Sequence, residues 1–473
     1  MVSVKCYQNP KSTTGDFIYH LPFTIHNLPF TINERTYKMD IKNITGISEE
    51  IVNYISEFKK EPVWMRNMRL SAWSLYSENP VPESSDESWL RTDISSLNFE
   101  NITPFNSGRL LKPDCQLELE NGNGNKIVQY DSSVVFAGID KDLQNKGVIF
   151  TDMDSALVKY PDLVTEYFMK SCVIPEYNVL TLLHAATWSG GVFLYVPRNV
   201  EIDLPFNVIY NLSRYGMGMF QHTLIIVENS SIVTFNEQLL SDIDLQQAKV
   251  GNSQSLSNGV VEIFLKDNAK LNYSSIQSFS TDINSFNTKR ALVGRDSSIN
   301  WVEGMVGAGL EKNHLEVVLK GPGSNADITG ISFLTGEQHL DTWVSIHHTV
   351  PNTTGNILIN SVVDESAKSI FQGMIRIDPD AQHTDSYMGN YNLLLADNAK
   401  ADSIPRLEIE ADEVKATHGV TVGQVDEEQL FYLMSRGINK DDAKDMIVDG
   451  FFESLISRVQ QKQTQDALRY SLQ

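Results

Sequence analysis

Val227-Glu-Asn-Ser-Ser-Ile-Val-Thr-Phe235 repeats its plan at Leu265-Lys-Asp-Asn-Ala-Lys-Leu-Asn-Tyr273 and at Val293-Gly-Arg-Asp-Ser-Ser-Ile-Asn-Trp301. Val363-Asp-Glu-Ser-Ala-Lys-Ser-Ile-Phe371 and Leu395-Ala-Asp-Asn-Ala-Lys-Ala-Asp-Ser403 follow the same plan. Each stretch runs from an apolar residue into a polar turn, then a small residue, then strand. Asp, Asn and Ser favour the turn because their side chains bond their own backbone. The copies begin 38, 28, 70 and 32 residues apart, and the long gap has room for another turn at Leu319-Lys-Gly-Pro-Gly-Ser-Asn-Ala-Asp-Ile328. From Gly191 to about Gly423 the pattern reads as strands of five to seven residues with no helical period. Such a repeat marks a unit that buries its apolar face against its neighbours. Strands without intervening helices exclude a doubly wound α/β sheet. A propeller would space its blades evenly at about 40 residues. Irregular spacing suits a β-helix, whose turns vary in length, while the repeats alone leave a sandwich open.

Helical sequence flanks this region. Ser48 reads as an N-cap, with Glu49 and Glu50 in the first turn where the helix dipole favours acids. Ile51, Tyr54, Ile55 and Phe58 form an apolar stripe, and Pro62 interrupts it before a second helix with Trp64, Met65, Met68, Leu70 and Trp73. A Pro- and Ser-rich linker begins at Asn79. Met153 to Tyr167 reads as one helix, and Val179 to Ala186 as a buried helix leading into a strand, Val192 to Val196. Beyond Gly423, Asp426-Glu-Glu-Gln429 has the form of a capping box. Gly437 suits a helix end, and Asn439 or Asp441 a restart. Gln460 to Gln473 is polar and reads as frayed. Residues 1–95 are thus expected to form a helical region and linker. Residues 96–423 would form the β core, with a helical insertion near 153–170, and residues 424–473 a helical tail.

The chain of 473 residues carries 38 Lys+Arg against 60 Asp+Glu, a net charge of −22. That balance opposes nucleic acid, where clustered cations must meet phosphates, and opposes a polybasic membrane patch. Tyr177 to Val196 contains no Asp, Glu, Lys or Arg, but Asn178, His184, Ser189, Gly190 and Gly191 dilute it below the ~20 apolar residues of a membrane span. Met1 to Pro10 holds no apolar run of secretory type. A cytoplasmic protein is expected. Three cysteines, Cys6, Cys115 and Cys172, with no CxxC, cannot build a disulfide framework or a Cys-rich metal finger.

Common catalytic signatures are absent. No Gly-Lys dipeptide occurs, so there is no P-loop, and neither HExxH nor GxSxG is present. Gly304-Met-Val-Gly-Ala-Gly309 has the wrong order for a dinucleotide turn and reads as close backbone packing or a bulge. The late histidines are His339, His347, His348, His383 and His418. Imidazole suits iron and zinc, but His347 and His348 alternate faces of one strand and cannot share a metal. His418 lies between Thr417 and Gly419, just ahead of the tail; spacing alone reads it as a turn histidine. Asp426, Glu427 and Glu428 read as helix-start acids rather than a general-acid cluster. Phe431-Tyr-Leu433 either binds a partner or covers the β core.

The stretch Asp412-Glu-Val-Lys-Ala-Thr-His-Gly-Val-Thr-Val-Gly-Gln-Val-Asp-Glu-Glu-Gln-Leu-Phe-Tyr-Leu-Met-Ser-Arg-Gly-Ile438 resembles the signature of the SufB/SufD family of iron–sulfur cluster assembly scaffolds. Gly147 to Tyr167, Trp188-Ser-Gly-Gly-Val-Phe-Leu-Tyr-Val-Pro-Arg198 and, more weakly, Glu61-Pro-Val-Trp-Met65 agree with it. The resemblance implies a mainly β protein: a right-handed parallel β-helix between N-terminal and C-terminal helical regions. It implies a non-enzymatic subunit whose partner, a SufC-type ABC ATPase, docks on the tail through Leu430, Phe431, Leu433, Met434, Arg436 and Ile438. It also implies pairing with a SufB-type scaffold or a second copy of itself, at a junction containing Thr417, Gly419 and Asn390. His418 would contribute an imidazole to a transient iron–sulfur cluster shared with SufB, none being held alone. Thr417-His-Gly419, Asn392-Leu-Leu-Leu395 and Trp89-Leu-Arg-Thr-Asp93 look SufD-like. Asn390 stands where SufB-type proteins carry cysteine, and Ala416 where many SufD sequences do. The alternatives are a purely structural subunit and a SufB-like homodimeric scaffold. A β-helix hydrolase of acidic polysaccharide is opposed by the negative charge.

Overall fold

The computed structural model describes residues 46–78, 89–95, 97–106, 124–242 and 254–472. Cys6, Cys115 and the linker from Asn79 lie outside them. The turns organise the fold. Ser230, Asn268, Asp296, Gly323, Asn352 and His383 all take left-handed backbone, with φ between 54° and 76°. Gly, Asn and Asp reach that region most readily. Each is followed by a small buried residue, Ser231, Ala269, Ser297, Ser324, Thr353 or Thr384, which turns inward and starts the next strand.

The strands stack into two parallel sheets that alternate along the chain. Sheet I runs through Phe206–Leu212, Ile232–Ser241, Lys270–Ser278, Ser298–Met305, Asn325–Leu334, Thr354–Val363, Asp385–Leu394 and Lys415–Gln424. Sheet II runs through Gly191–Val196, His222–Val227, Ser255–Leu265, Ile283–Val293, Leu310–Leu319, His339–His348, Lys368–Ile377 and Lys400–Ile409. Asn125–Tyr130 leads sheet I, paired antiparallel with Ser133–Gly138, and Ile149–Asp152 pairs antiparallel with the first strand of sheet II. The core is therefore a parallel β-solenoid. Side chains 28 or 29 positions apart touch between neighbouring coils. Between the coils that residues 242–254 connect the separation is 38, which explains the first long interval between repeats.

Three expectations change. The later strands are ten residues long rather than five to seven. The five repeated stretches belong to two seams: those at 227, 265 and 293 lead from sheet II to sheet I, whereas those at 363 and 395 lead back from sheet I to sheet II. Their 70-residue gap is a change of seam, and the turn after Leu319 belongs to the first. Met153 to Tyr167 forms two helices, because Pro161 forces Tyr160 out of helical angles (φ −134°, ψ 50°).

Alternation assigns every strand residue a face. One inward row of sheet I runs Phe235, Tyr273, Trp301, Ile328, Ile357, Met388, His418. The next runs Glu237, Ser275, Glu303, Gly330, Ile359, Asn390, Val420. Lys289 reaches across the interior to Glu303 (2.9 Å to each oxygen) and Ser275 (2.8 Å). Glu311 accepts from Gln277 (2.9 Å), and burial pushes its carboxyl up to about 8. Gly307 and Gly309 press on the Phe279 and Thr281 carbonyls, which leaves no room for a side chain.

Helices cover the outer faces. Helices α1 (Glu49–Lys59), α2 (Val63–Glu78), α3 (Lys141–Asn145), α4 (Met153–Lys159), α5 (Pro161–Tyr167) and α6 (Val179–Thr187) precede the long solenoid run. Ser48 caps α1, and Ile51 and Ile55 are buried as the stripe requires. Ile51, Ile55, Met65, Ala72, Phe168 and Trp188 pack on Leu224, Ile226, Val260 and Phe264 of sheet II. Each fully buried Ile, Leu, Val, Met or Phe side chain there contributes about 1.5–3 kcal/mol. Arg69 and Glu61 form a buried two-pronged ion pair (2.7 and 2.6 Å), and Arg69 also donates to the Ala186 and Trp188 carbonyls.

Helices α7 (Glu427–Ser435), α8 (Lys440–Ile456) and α9 (Lys462–Ser471) form the tail. Asp426 caps α7, Gly437 takes the left-handed angle that ends it (φ 93°), and Asn439 caps α8. The expectation of a frayed end is overturned. Phe452, Leu455, Ile456 and Leu468 pack on Ile276, Val302, Ile331 and Val362 of sheet I. Leu468 fits because Gly304 has no side chain; a Cβ there would lie 3.0 Å from Leu468 Cδ2. No helix among the described residues is long and apolar enough to cross a membrane.

Candidate functional site

The solenoid's last coil has neighbours on one side only. Lys400–Ile409 and Lys415–Gln424 are the terminal strands of sheets II and I. The inward side chains of this coil are consequently open: Ile409 is 41 %, Val420 38 % and Val422 44 % exposed, although they continue rows that are buried in every preceding coil.

His418 sits in this coil, exposed, on the inward face opposite Met388. Asn390, one register step along, is buried on the same face; its Nδ2 donates to the Ile359 carbonyl (3.3 Å), and its Oδ1 accepts from Asn392 (2.7 Å). Thr417 and Gly419 fall on the opposite, outer face beside Tyr387 and Gly389. There the Tyr387 and Tyr391 hydroxyls bond at 2.8 Å. The strand thus brings His418 and Asn390 together and separates them from Thr417 and Gly419. Met388, Asn392, Val420 and Val422 complete the inward surface around His418. The sequence signal for them is period-two alternation carried across one coil.

The remaining late histidines have other partners. His339 meets Thr92 Oγ1 (3.2 Å), and His347 meets Asp378 (2.8 Å). His348 is buried between Thr353 and Ser386, and burial holds its imidazole down at about 4. His383 is a left-handed turn residue. His347 and His348 do take opposite faces, one half-exposed and one buried. Cys172 is fully buried; burial, then the nearby Glu262 carboxylate, pushes its thiol well up, which disfavours the thiolate that metals and sulfur chemistry need. Among the described residues, no group of three or more His, Cys, Asp or Glu side chains could hold a metal ion. The described donor set therefore does not fit a complete cluster site.

The α7 helix buries none of its residues. Phe431 is 73 %, Tyr432 56 % and Met434 43 % exposed, so this stretch does not cover the β core. Leu430, Leu433 and Ile438 are half-buried, and Arg436 lies over the Tyr432 ring (5.1 Å). Asp426, Glu428, Gln429, Tyr432, Leu433 and Ile447 line a shallow groove of about 410 Å³ between α7 and α8. An apolar helical surface of this kind suits a partner protein.

Two family profiles match the chain: the SUF system FeS cluster assembly SufBD core domain over residues 210–451, and the SufBD protein N-terminal region over residues 49–208. Iron-sulfur cluster assembly SufBD family proteins of Staphylococcus haemolyticus and Staphylococcus epidermidis are each 33 % identical to it over 429 residues, covering 86 % of this chain and 88 % of theirs. One from Staphylococcus aureus is 33 % identical over 431 residues with the same coverage. A solenoid of parallel strands flanked by helices, with these matches along nearly its whole described length, defines an iron–sulfur cluster assembly protein. The chain belongs to the SufBD family.

Proposed function

We propose that the chain is a SufD-like scaffold subunit without catalysis of its own. It would pair with a SufB-type protein, or a second copy of itself, and couple ATP hydrolysis by a SufC-type ATPase to cluster assembly in the cytoplasm. The observation that carries this reading is the open last coil, where an exposed His418 shares an inward surface with Asn390 and Val420. A partner's strand would complete that coil and bring the thiolates this chain lacks. The nascent cluster is then cargo, ligated jointly by imidazole and thiolate as in mixed His/Cys centres. The absence of cysteine at Asn390 supports the SufD assignment, whereas Ala416 departs from the many SufD sequences that carry cysteine there. The exposed α7 face supports ATPase docking through Phe431 and Met434. Closure of two ATPase subunits would pull on α7 and α8, and α8 grips sheet I where the Asn360 amide donates to the Phe451 carbonyl (3.3 Å). That load would shift the junction toward an open state.

The test is His418→Ala in a reconstituted complex. Cluster assembly is expected to be lost while subunit stoichiometry and ATPase docking persist. Wild-type assembly by the mutant would make the chain a structural subunit without a ligand.

A further inference from the structure

A polar column crosses the apolar contact between the N-terminal helices and sheet II. His184 Nδ1 lies 3.0 Å from the Asn258 carbonyl oxygen, and His184 Nε2 lies 3.1 Å from His222 Nδ1. His222 Nε2 lies 3.1 Å from Glu262 Oε2. The Glu262 carboxyl also accepts the backbone N–H groups of Met169 (2.7 Å) and Val173 (3.0 Å). His184, His222 and Glu262 are fully buried, and Phe168 lies over His222 with ring centroids 4.1 Å apart.

One end of this chain sets the direction of every bond in it. A carbonyl oxygen only accepts, so His184 carries its proton on Nδ1. With His184 neutral, its Nε2 accepts and His222 Nδ1 donates. A single further proton then lies between His222 Nε2 and Glu262 Oε2, on the carboxyl or on the ring. Without it, two lone pairs would face each other at 3.1 Å in a dry interior.

We propose that His184, His222 and Glu262 form a one-proton clasp that fixes segment 168–173 and α6 to sheet II, and that losing this proton loosens the attachment while the solenoid stays folded. The charges around the column are already matched. Arg69 from α2 is held by Glu61, and Arg290 from the next strand is held by Glu316 and donates to the Cys172 carbonyl. The Cys172 thiol itself donates to backbone carbonyls. Tyr177 and His314, farther along the face, bond each other (2.8 Å). Among the described residues Arg290 is the cation that acts on the Glu262 carboxyl, and it is already paired with Glu316, so burial dominates. Burial agrees with this account, lifting the Glu262 carboxyl to about 8 and pressing His222 down to about 3.

The sign follows from linkage. The closed clasp holds one proton between His222 and Glu262. Once open, the same pair holds none above the ordinary imidazole range of about 6.5. Opening therefore becomes about tenfold easier per pH unit from about 6.5 to 8 and levels off above. Hydrogen exchange of the full-length protein tests this through the Met169 and Val173 amides, with strand His339–His348 as internal control. Protection in 168–173, corrected for intrinsic exchange, is expected to fall about tenfold per pH unit over that window while strand His339–His348, which opens only with the whole fold, stays better protected at every pH. Glu262→Gln, whose Nε2 in the place of Oε2 donates to His222 while its Oε1 keeps the Val173 N–H and the Met169 N–H loses its acceptor, carries no titrating proton and is expected to abolish the slope. A flat wild-type profile, exchange of 168–173 at the same corrected rate as the control strand, or an unchanged slope in a folded Glu262→Gln protein would each overturn the proposal.

Discussion

Arg69 shows what a single residue contributes here. Its guanidinium is fully buried, and four of its five N–H groups are bonded: two to the Glu61 carboxylate and one each to the Ala186 and Trp188 carbonyls, with the Trp188 ring at 4.6 Å. Arg69→Met leaves Glu61 buried without its partner, and loss of about 3–5 kcal/mol is expected, read as a lowered urea midpoint. Arg69→Met with Glu61→Leu is expected to recover part of it, because the desolvation cost disappears from both sides. Nothing in the spacing of Glu61 and Arg69 announced the pair; burial of an arginine is decided by α6 and Trp188, more than a hundred positions away. His418 was legible through its motif and not through its setting. A lone histidine between Thr417 and Gly419 reads as a turn. Only the register with Met388 gives it an inward face.

At the scale of elements, the two ends of the tail behave oppositely. Leu468→Ala is expected to destabilise the fold by about 2–5 kcal/mol, since it empties a contact with Ile276, Val302 and Gly304. Phe431→Ala is expected to change stability by less than about 0.5 kcal/mol but to weaken ATPase binding. Urea titration and a pull-down on both variants separate the two; a destabilised Phe431→Ala protein would remove α7 as a docking element. Four of the first seam's turns, at Ser230, Asn268, Asp296 and Gly323, could be read from sequence because polar turn residues and glycine mark them, whereas those at Asn352 and His383 could not. The second seam could not, since its turns use similar residues with different geometry: Glu365 is left-handed (φ 52°), whereas the turn at Asp397 and Asn398 has no left-handed residue. The docking of α9 was hidden for a related reason. Thr464 and Leu468 are only two inward residues in a polar decapeptide, and the recess they fill is a glycine on a distant strand.

For the molecule as a whole, buried titratable groups set the pH response. Glu262 and Glu311 sit near 8 inside the fold, so their stabilising protonation is lost as pH rises from the ordinary carboxylate range through 8. His222, His314 and His348 are held at about 3, 4 and 4, so stability falls as pH drops below the ordinary imidazole range of about 6.5. Between about 4.5 and 6.5 the histidines outnumber the carboxyls and stability rises with pH; above 6.5 only the carboxyls act and it declines. Urea unfolding from pH 4 to 9 is expected to peak near pH 6.5, and a steady rise to pH 8 would contradict these assignments. The last coil has a further consequence. A stack of parallel coils with an unfinished end is a fibre tip, ready to template any strand that arrives. Its two rims are dressed differently. Lys400–Ile409 carries Asp402, Pro405, Arg406 and Glu408, a proline that cannot donate and charges that repel casual pairing. Lys415–Gln424 contains no proline and no acid. The growing end is therefore blunted on one rim and receptive on the other, which favours a single incoming strand over runaway polymerisation.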